Sequence, residues 1–329
     1  MFQFIAVTKS FLSVLLTVLN FFSLGIFGNF TAETKPLNDD CKVNFAVISD
    51  IHMTEETARA DMLRFGLQDM QEFESPLDLL ICSGDLTDHG EPEEWANLAS
   101  AFADYTPATN IILAQGNHDT WTSDDDYALS RELFIDYNEK IAGREIDEVY
   151  YSTKVNGYTF IVLGSESDHT YATVSDEQVA WLAAEMEKAS QDGLPIFVIN
   201  HWPINESHGL PETWGDDEPM PDDGGIGDKS EEVEAILKSY DNVFYITGHI
   251  HSGFVNDSQT DVYGYTSVES DGSFHSINLP QYMYLTIRGR IANGTGFVFE
   301  VYEDKVEIRA RSFSAGVWYT DYDWSFELV

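Results

Sequence analysis

The sequence predicts an α/β fold that closes in antiparallel strands, on three observations. From Val43 onward, short apolar runs end in sharp Gly or Asp turns. Amphipathic stretches of helical period lie between several of those runs, as expected for strands alternating with helices. After His251 the helical signal disappears and alternating strands replace it.

In chain order, the first element reads as a targeting segment. Lys9 precedes the apolar run Phe11–Phe22, and Ser23-Leu-Gly25 puts small residues where a signal peptidase cuts. An uncleaved anchor competes with this reading, because the apolar character persists to Phe27 and nears spanning length. Asn20 and the serines weigh against the anchor. The expectation is a signal peptide over residues 1–25, a linker over 26–41 and one domain over 42–329. The product would be secreted or extracytoplasmic, with no stable membrane insertion after signal removal. The sequons at Asn29, Asn205, Asn256 and Asn293 would matter only in a glycosylating secretory route.

Within the domain, five apolar runs read as strands: Val43–Ser49, Leu77–Ser83, Asn110–Gln115, Pro195–Asn200 and Val243–Thr247. Thr54–Phe73 places Met62, Leu63, Leu67, Met70 and Phe73 on one helical face, with Phe65 at its edge. Gly66 costs that helix about 1 kcal/mol against alanine. Ser175-Asp-Glu-Gln178 resembles a capping box opening a helix that carries Val179, Leu182 and Met186. Lys229–Tyr240 is a shorter helix of the same kind. Tyr150–Gly164 reads as a hairpin with Asn156-Gly157 at its tip. Tyr282–Arg288, Gly296–Tyr302 and Lys305–Ser312 alternate as antiparallel strands, expected to build a second sheet or a small C-terminal lobe.

Composition excludes some functions. The 43% apolar content supports a real core. The 57 acidic residues against 17 Lys plus Arg give a formal net charge of −40, which repels nucleic acid duplexes and anionic membranes. Small anionic substrates stay possible, since the field is screened over about 8 Å at physiological ionic strength. Cys41 precedes one strand and Cys82 ends another, so no bridge between them is expected.

The chemistry lies where the five runs end. The first is followed by Asp50 and His52, the second by Asp85 after Gly84, and the third by Asn117 and His118. The fourth is followed by His201 and the fifth by His249 and His251. A lone His-x-His is weak evidence, and a Gly-Asp turn such as Gly84-Asp85 needs no function. Five metal-binding residue types at five strand ends are hard to obtain by chance, because ligand sites of α/β sheets lie beyond those ends. Gly84, Gly116 and Gly248 stand just before key side chains, where glycine permits close backbone approach.

The series Asp50-x-His52, Gly84-Asp85-x-x-Asp88, Gly116-Asn117-His118-Asp119, His201 and Gly248-His249-x-His251 resembles the calcineurin-like metallophosphoesterase family. It looks most like the branch of cyclic-nucleotide and glycerophosphodiester phosphodiesterases. The resemblance implies a two-sheet β-sandwich flanked by helices. It implies one metal on Asp50, His52 and His251, a second on Asn117, His201 and His249, and Asp85 bridging them. Two dications about 3.5–4 Å apart clamp a phosphoryl group for in-line displacement and lower the pKa of a bridging hydroxide. Two aspartates and that hydroxide leave such a centre near +1, able to attract phosphate to an acidic protein. Asp, Asn and His donors suit Mn, Fe or Zn, and also Ni or Co.

His118 is then left for the leaving oxygen, as proton donor or stabiliser. Asp88 and Asp119 either orient ligands from behind or serve as turn acids capping the next helices. His89, His169, His208 and His275 match no motif and read as surface or packed residues. Trp202–Asp228 suits either a lid over the substrate or a solvated insertion. Trp318, Tyr319, Tyr322 and Trp324 read as packing for the C-terminal strands. The function expected is hydrolysis of small phosphate esters, with diesters favoured over monoesters or nucleotide pyrophosphates. A non-catalytic binding module is disfavoured because no ligand is missing.

Overall fold

The computed structural model describes residues 40–329, apart from 123–125, 168, 170–171, 215–223, 256–263 and 284–293. The expected signal peptide and nearly all of the linker lie outside the described residues. Among the described residues no helix is long and apolar enough to cross a membrane.

Two sheets pack face to face. In the first, β1 (Val43–Ile48), β2 (Leu77–Ser83) and β3 (Ala108–Ala114) run parallel. Its other half is antiparallel: β10 (Thr295–Val301) pairs with β1, and β11 (Lys305–Ser312) pairs with β10. The short strands β12 (Val317–Trp318) and β13 (Trp324–Glu327) pair with β11. In the second sheet, β5 (Tyr158–Val162), β6 (Ile196–Ile199), β7 (Val243–Thr247) and β9 (Phe274–Asn278) are parallel neighbours. Antiparallel strands β4 (Tyr151–Val155) and β8 (Val268–Asp271) form its two edges.

Aromatic rings fill the space between the sheets. Phe45 of β1 stacks on Phe299 at 4.7 Å and meets Phe160 and Phe197 of the opposite sheet edge-on at 5.4 and 5.0 Å. Offset and edge-on pairs of this kind contribute beyond the area they bury. The outer face of the first sheet is covered by α1 (Thr57–Gln71), α2 (Pro92–Ala103) and α3 (Tyr127–Ala142). The second is covered by α4 (Asp176–Ser190) and α5 (Ser230–Leu237). Two sheets between two helical layers give the expected sandwich.

The five apolar runs appear as β1, β2, β3, β6 and β7, but split between the sheets. The expectation that the C-terminal strands build a sheet or lobe of their own is corrected. All six residues of β1 are buried, so its free edge needs backbone partners inside the core, and β10 supplies them. Of the expected strand Tyr282–Arg288, only Tyr282 and Met283 are described. They lie in a bend, and the Tyr282 N–H donates to Ser49 O. The hairpin stands as read, with φ of 50° at Asn156 and 90° at Gly157, as tight hairpin turns require. Ser175 caps α4 by accepting from the Gln178 N–H, but Gln178 does not reciprocate. Its side chain donates to Gly164 O and Glu166, and Glu166 takes the Ser175 N–H. Cys41 and Cys82 are free thiols.

One buried ion pair pins α1 to the sheet. Asp69 accepts two hydrogen bonds from Arg311 of β11, at 2.7 and 2.9 Å, and Arg311 also lies over the rings of Phe73 and Trp318. Removing one partner strands a buried charge, at a cost of about 3–5 kcal/mol. Asp69→Ala should therefore lower unfolding free energy in urea by about that amount. Asp69→Ala combined with Arg311→Met should recover most of the loss. If Asp69→Ala alone unfolds at the wild-type urea midpoint, the pair does not anchor the helix.

Candidate metal centre

The candidate ligands stand at the carboxyl ends of strands from both sheets. Asp50 and His52 follow β1, Asp85 follows β2, and Asn117 and His118 follow β3. His201 follows β6, and His249 and His251 follow β7. Hydrogen bonds draw the two sets together across the seam. The Ser83 hydroxyl donates to Asn200 O at 2.8 Å, and His201 Nδ1 lies 2.9 Å from Ser83 O. The His249 N–H donates to Asp50 Oδ1 at 3.2 Å.

The backbone bends sharply to aim these side chains. Asp50, His52, Asp85, His249 and His251 all have positive φ, between 44° and 74°. Such angles are uncommon outside glycine and cost of order 1–3 kcal/mol each, which functional sites tolerate when the surroundings enforce them. Strand-end hydrogen bonds enforce them here: Asp50 N–H to Gly84 O, and His52 N–H to Asp85 O. Glycine is required where strand ends crowd. A Cβ on Gly84 would stand 2.5 Å from His201 Nδ1, and one on Gly248 would collide with Ser49 and Asp50.

Two clusters result, and they share Asp85. Asp50, His52, Asp85 and His251 bring one ligand atom each within 4.8 Å of one another, as do Asp85, His201 and His249. His251 Nε2 lies 3.2 Å from Asp50 Oδ1 and 2.9 Å from His52 Nε2. His201 Nε2 lies 3.2 Å from both Asp85 Oδ2 and His249 Nδ1. Asp50 and Asp85 are fully buried. Burial alone would raise their pKa values, but hydrogen bonds and charge from His201 and His251 outweigh it and hold both carboxyls low. Burial acts to depress His251 and His201, yet the same two aspartates raise them to about 10 and about 9. The two buried carboxylates thus favour positive charge at the site, which cations could supply.

The donor set fits two cations. Asp50 Oδ2 and Asn117 Oδ1 are buried without a hydrogen-bond partner, which is costly unless they face a cation. Histidine nitrogens and carboxylate oxygens are the donors that first-row divalent metals accept. The residues are therefore positioned to bind two metal ions.

His118 sits beside the shared carboxylate. Its N–H donates to Asp85 Oδ1 at 2.9 Å, and its Nδ1 lies 2.7 Å from Asp88 O. Its ring meets His52 edge-on at 4.5 Å. Asp88 and Asp119 are not caps: α2 has no side-chain cap, and α3 is capped by Asp126. Asp88 Oδ1 lies 3.2 Å from His52 Nδ1 and 3.3 Å from Arg59. Burial would raise the Asp88 carboxyl, but His52 and Arg59 bring it down to about 2. Asp119 touches no candidate ligand side chain through its carboxylate. It accepts from the N–H groups of Gly116, Leu86 and Thr87 and from the Thr87 hydroxyl, at 2.8 to 3.2 Å, so it ties the second loop to the third. Burial and the charge of Asp85 push its pKa up to about 6.

Other expectations sort by geometry. His208 and His275 are packed; His208 bonds Thr266 O and Ser276 Oγ, both at 2.8 Å. His89 is on the surface and His169 is stacked on Trp121, so both flank Trp121 beside His118. In the described part of Trp202–Asp228, Trp202 is buried and Trp214 stacks on His249 at 3.9 Å, so this part backs a ligand and is not a solvated insertion. The Asn205 amide exchanges hydrogen bonds with Gly227, which removes that sequon from the free surface. The C-terminal aromatics pack as expected, with Tyr319 and Tyr322 in the core between the sheets. No motif singles out Ser83, Asn200 or Arg59 for the site, because their contacts cross between distant loops.

Known proteins point the same way. A protein of Rhodococcus erythropolis described as a "Probable cyclic nucleotide phosphodiesterase" is 32% identical over 130 residues, 39% of either chain. A 3′,5′-cyclic-nucleotide phosphodiesterase of Nostoc is 26% identical over 232 residues, 66% of this chain and 75% of that one. The chain thus matches about two fifths of the Rhodococcus protein and three quarters of the Nostoc one. Among solved structures, a dimetal phosphatase of Danio rerio superposes with a TM-score of 0.60 at 15% identity, over 88% of this chain and all of that one, which shows a shared fold. The calcineurin-like phosphoesterase model matches residues 43–253, well over half of the chain. The chain therefore belongs to the calcineurin-like phosphoesterase family of metal-dependent phosphate-ester hydrolases.

Proposed function

We propose that the protein is an exported phosphodiesterase. The observation that carries the hydrolytic part is the position of Asp85, shared by both ligand clusters and bonded through its other oxygen to the His118 N–H. Asp50, His52 and His251 would hold one cation, and Asn117, His201 and His249 the other, with Asp85 spanning them. Bound there, the pair of cations supplies positive charge for the phosphoryl oxygens and acidifies water. The chain's own residues do the rest. His118 donates its Nδ1–H to Asp88 O, which fixes the ring and leaves Nε2 for the leaving oxygen. Asp88 and Arg59 hold His52 from behind. Diesters are favoured because the Rhodococcus and Nostoc relatives carry cyclic-nucleotide phosphodiesterase names. Export rests on the apolar run after Lys9 and the small residues at Ser23 and Gly25.

Turnover of a panel of phosphate mono-, di- and pyrophosphate esters by the metal-reconstituted mature chain tests the substrate class; preference for monoesters or pyrophosphates would overturn the diester reading. Asp85→Asn should abolish turnover and lower metal content while the circular dichroism spectrum persists. Two metals per chain with normal turnover in that variant would remove Asp85 from the centre.

His118→Ala should keep both metals and lose roughly 10²–10⁴-fold in rate on an alkyl ester. On a nitrophenyl ester the loss should be much smaller, because a good leaving group departs without a proton. Equal losses on the two esters would show that His118 has another role.

Edman sequencing of protein from the native host should find a mature N-terminus near residue 26. An intact Met1, or protein confined to the cytosol, would end the export proposal.

A further inference from the structure

Beside His118 stands a side chain that the chemistry so far has not used. Trp121 is 40% exposed, one of only three large apolar side chains so exposed among the described residues. Its neighbours Thr120 and Thr122 are buried, and its N–H donates to His118 O at 3.2 Å, so the backbone holds it in place. The indole lies 5.3 Å from the His118 ring, and His118 lies 4.5 Å from His52. Trp121 is therefore one ring beyond the group proposed for the leaving oxygen, where the organic part of a departing ester would sit. The His169 imidazole stacks on it at 4.8 Å and 11°, and His89 stands 5.5 Å away. That parallel contact shows the indole accepting a flat ring against its surface.

An apolar ring 40% exposed beside His118 offers nothing to phosphate. It offers an extended π surface to an uncharged planar group, and stacking of that kind tolerates many ring types. We propose that Trp121, with His169 stacked against it, seats the organic group on the leaving side of the ester, and that this group is planar, a nucleobase or an aryl ring. The inference rests on the phosphoesterase reading of the site and specifies what that site selects.

The test uses matched pairs on the metal-loaded mature chain. Adenosine 3′,5′-cyclic monophosphate is set against the same cyclic phosphate without its base. Benzyl methyl phosphate is set against butyl methyl phosphate, and adenosine 5′-monophosphate against ribose 5-phosphate. Trp121→Leu should shrink the preference for the planar member by roughly 5- to 100-fold, mostly through KM. Trp121→Phe should retain most of it, and both variants should keep wild-type metal content. Calorimetry should show the dissociation constant for adenosine 5′-monophosphate rising by a similar factor, with that for ribose 5-phosphate little changed. A shift in the benzyl pair alone would support an aryl seat, and a shift in the adenosine pairs alone a nucleobase seat. Equal losses on both members of every pair would overturn the proposal, leaving Trp121 as a support for His118. If no diester is turned over, the diester reading fails, while the monoester pair and the calorimetry still decide the role of Trp121.

Discussion

Two carboxylates with no exposure to water, Asp50 and Asp85, govern how this molecule is built. Burying a charge is expensive unless opposite charge meets it at close range. Both lie at the seam between the sheets, where His201 and His251, from the loops after β6 and β7, reach them from the other side. The sandwich therefore has to bring two separate sheets into register at one end. The Ser83–Asn200 hydrogen bond and the contact of His201 with Ser83 O do this within a few ångströms of the charges.

Around that seam the support is layered. Asp119 ties the loops after β2 and β3, which carry Asp85 and Asn117, together with four hydrogen bonds. Asp88 reaches both histidines of its side, His52 through its carboxylate and His118 through its carbonyl. Farther out, Asp69 and Arg311 fix α1, the helix entered directly from the loop of Asp50 and His52.

Much of this was legible in the sequence, for a physical reason. Strand ends that carry Asp, Asn or His after an apolar run are local features, so all five ends with candidate ligands could be read without knowing how strands pair. Sheet membership could not be read that way. Apolar alternation in β10 and β11 reports a buried face, and nothing in it distinguishes an edge beside β1 from a separate lobe. Helices α2 and α3 escaped notice, although Pro92 and the acids behind it open the first of them in the usual manner. Asp88 and Asp119 read equally as supports for ligands and as caps, because the short-range signal for a cap and for a loop tie is the same residue in the same turn. Their partners, His52 and Thr87, are far away in sequence or chemistry from what a cap requires.

The left-handed backbone at five candidate ligands has a consequence for how the protein acquires its cations. Two of those angles are held by backbone hydrogen bonds between strand ends, from Asp50 N–H to Gly84 O and from His52 N–H to Asp85 O. Part of the cradle is thus set by strand pairing, unlike small zinc modules, whose chains order only when metal arrives. A preshaped cradle of nitrogen and oxygen donors ranks first-row ions by intrinsic affinity, with little refolding energy to set one apart from another. Which pair of ions the chain carries then depends on supply as well as on their affinity for this donor set.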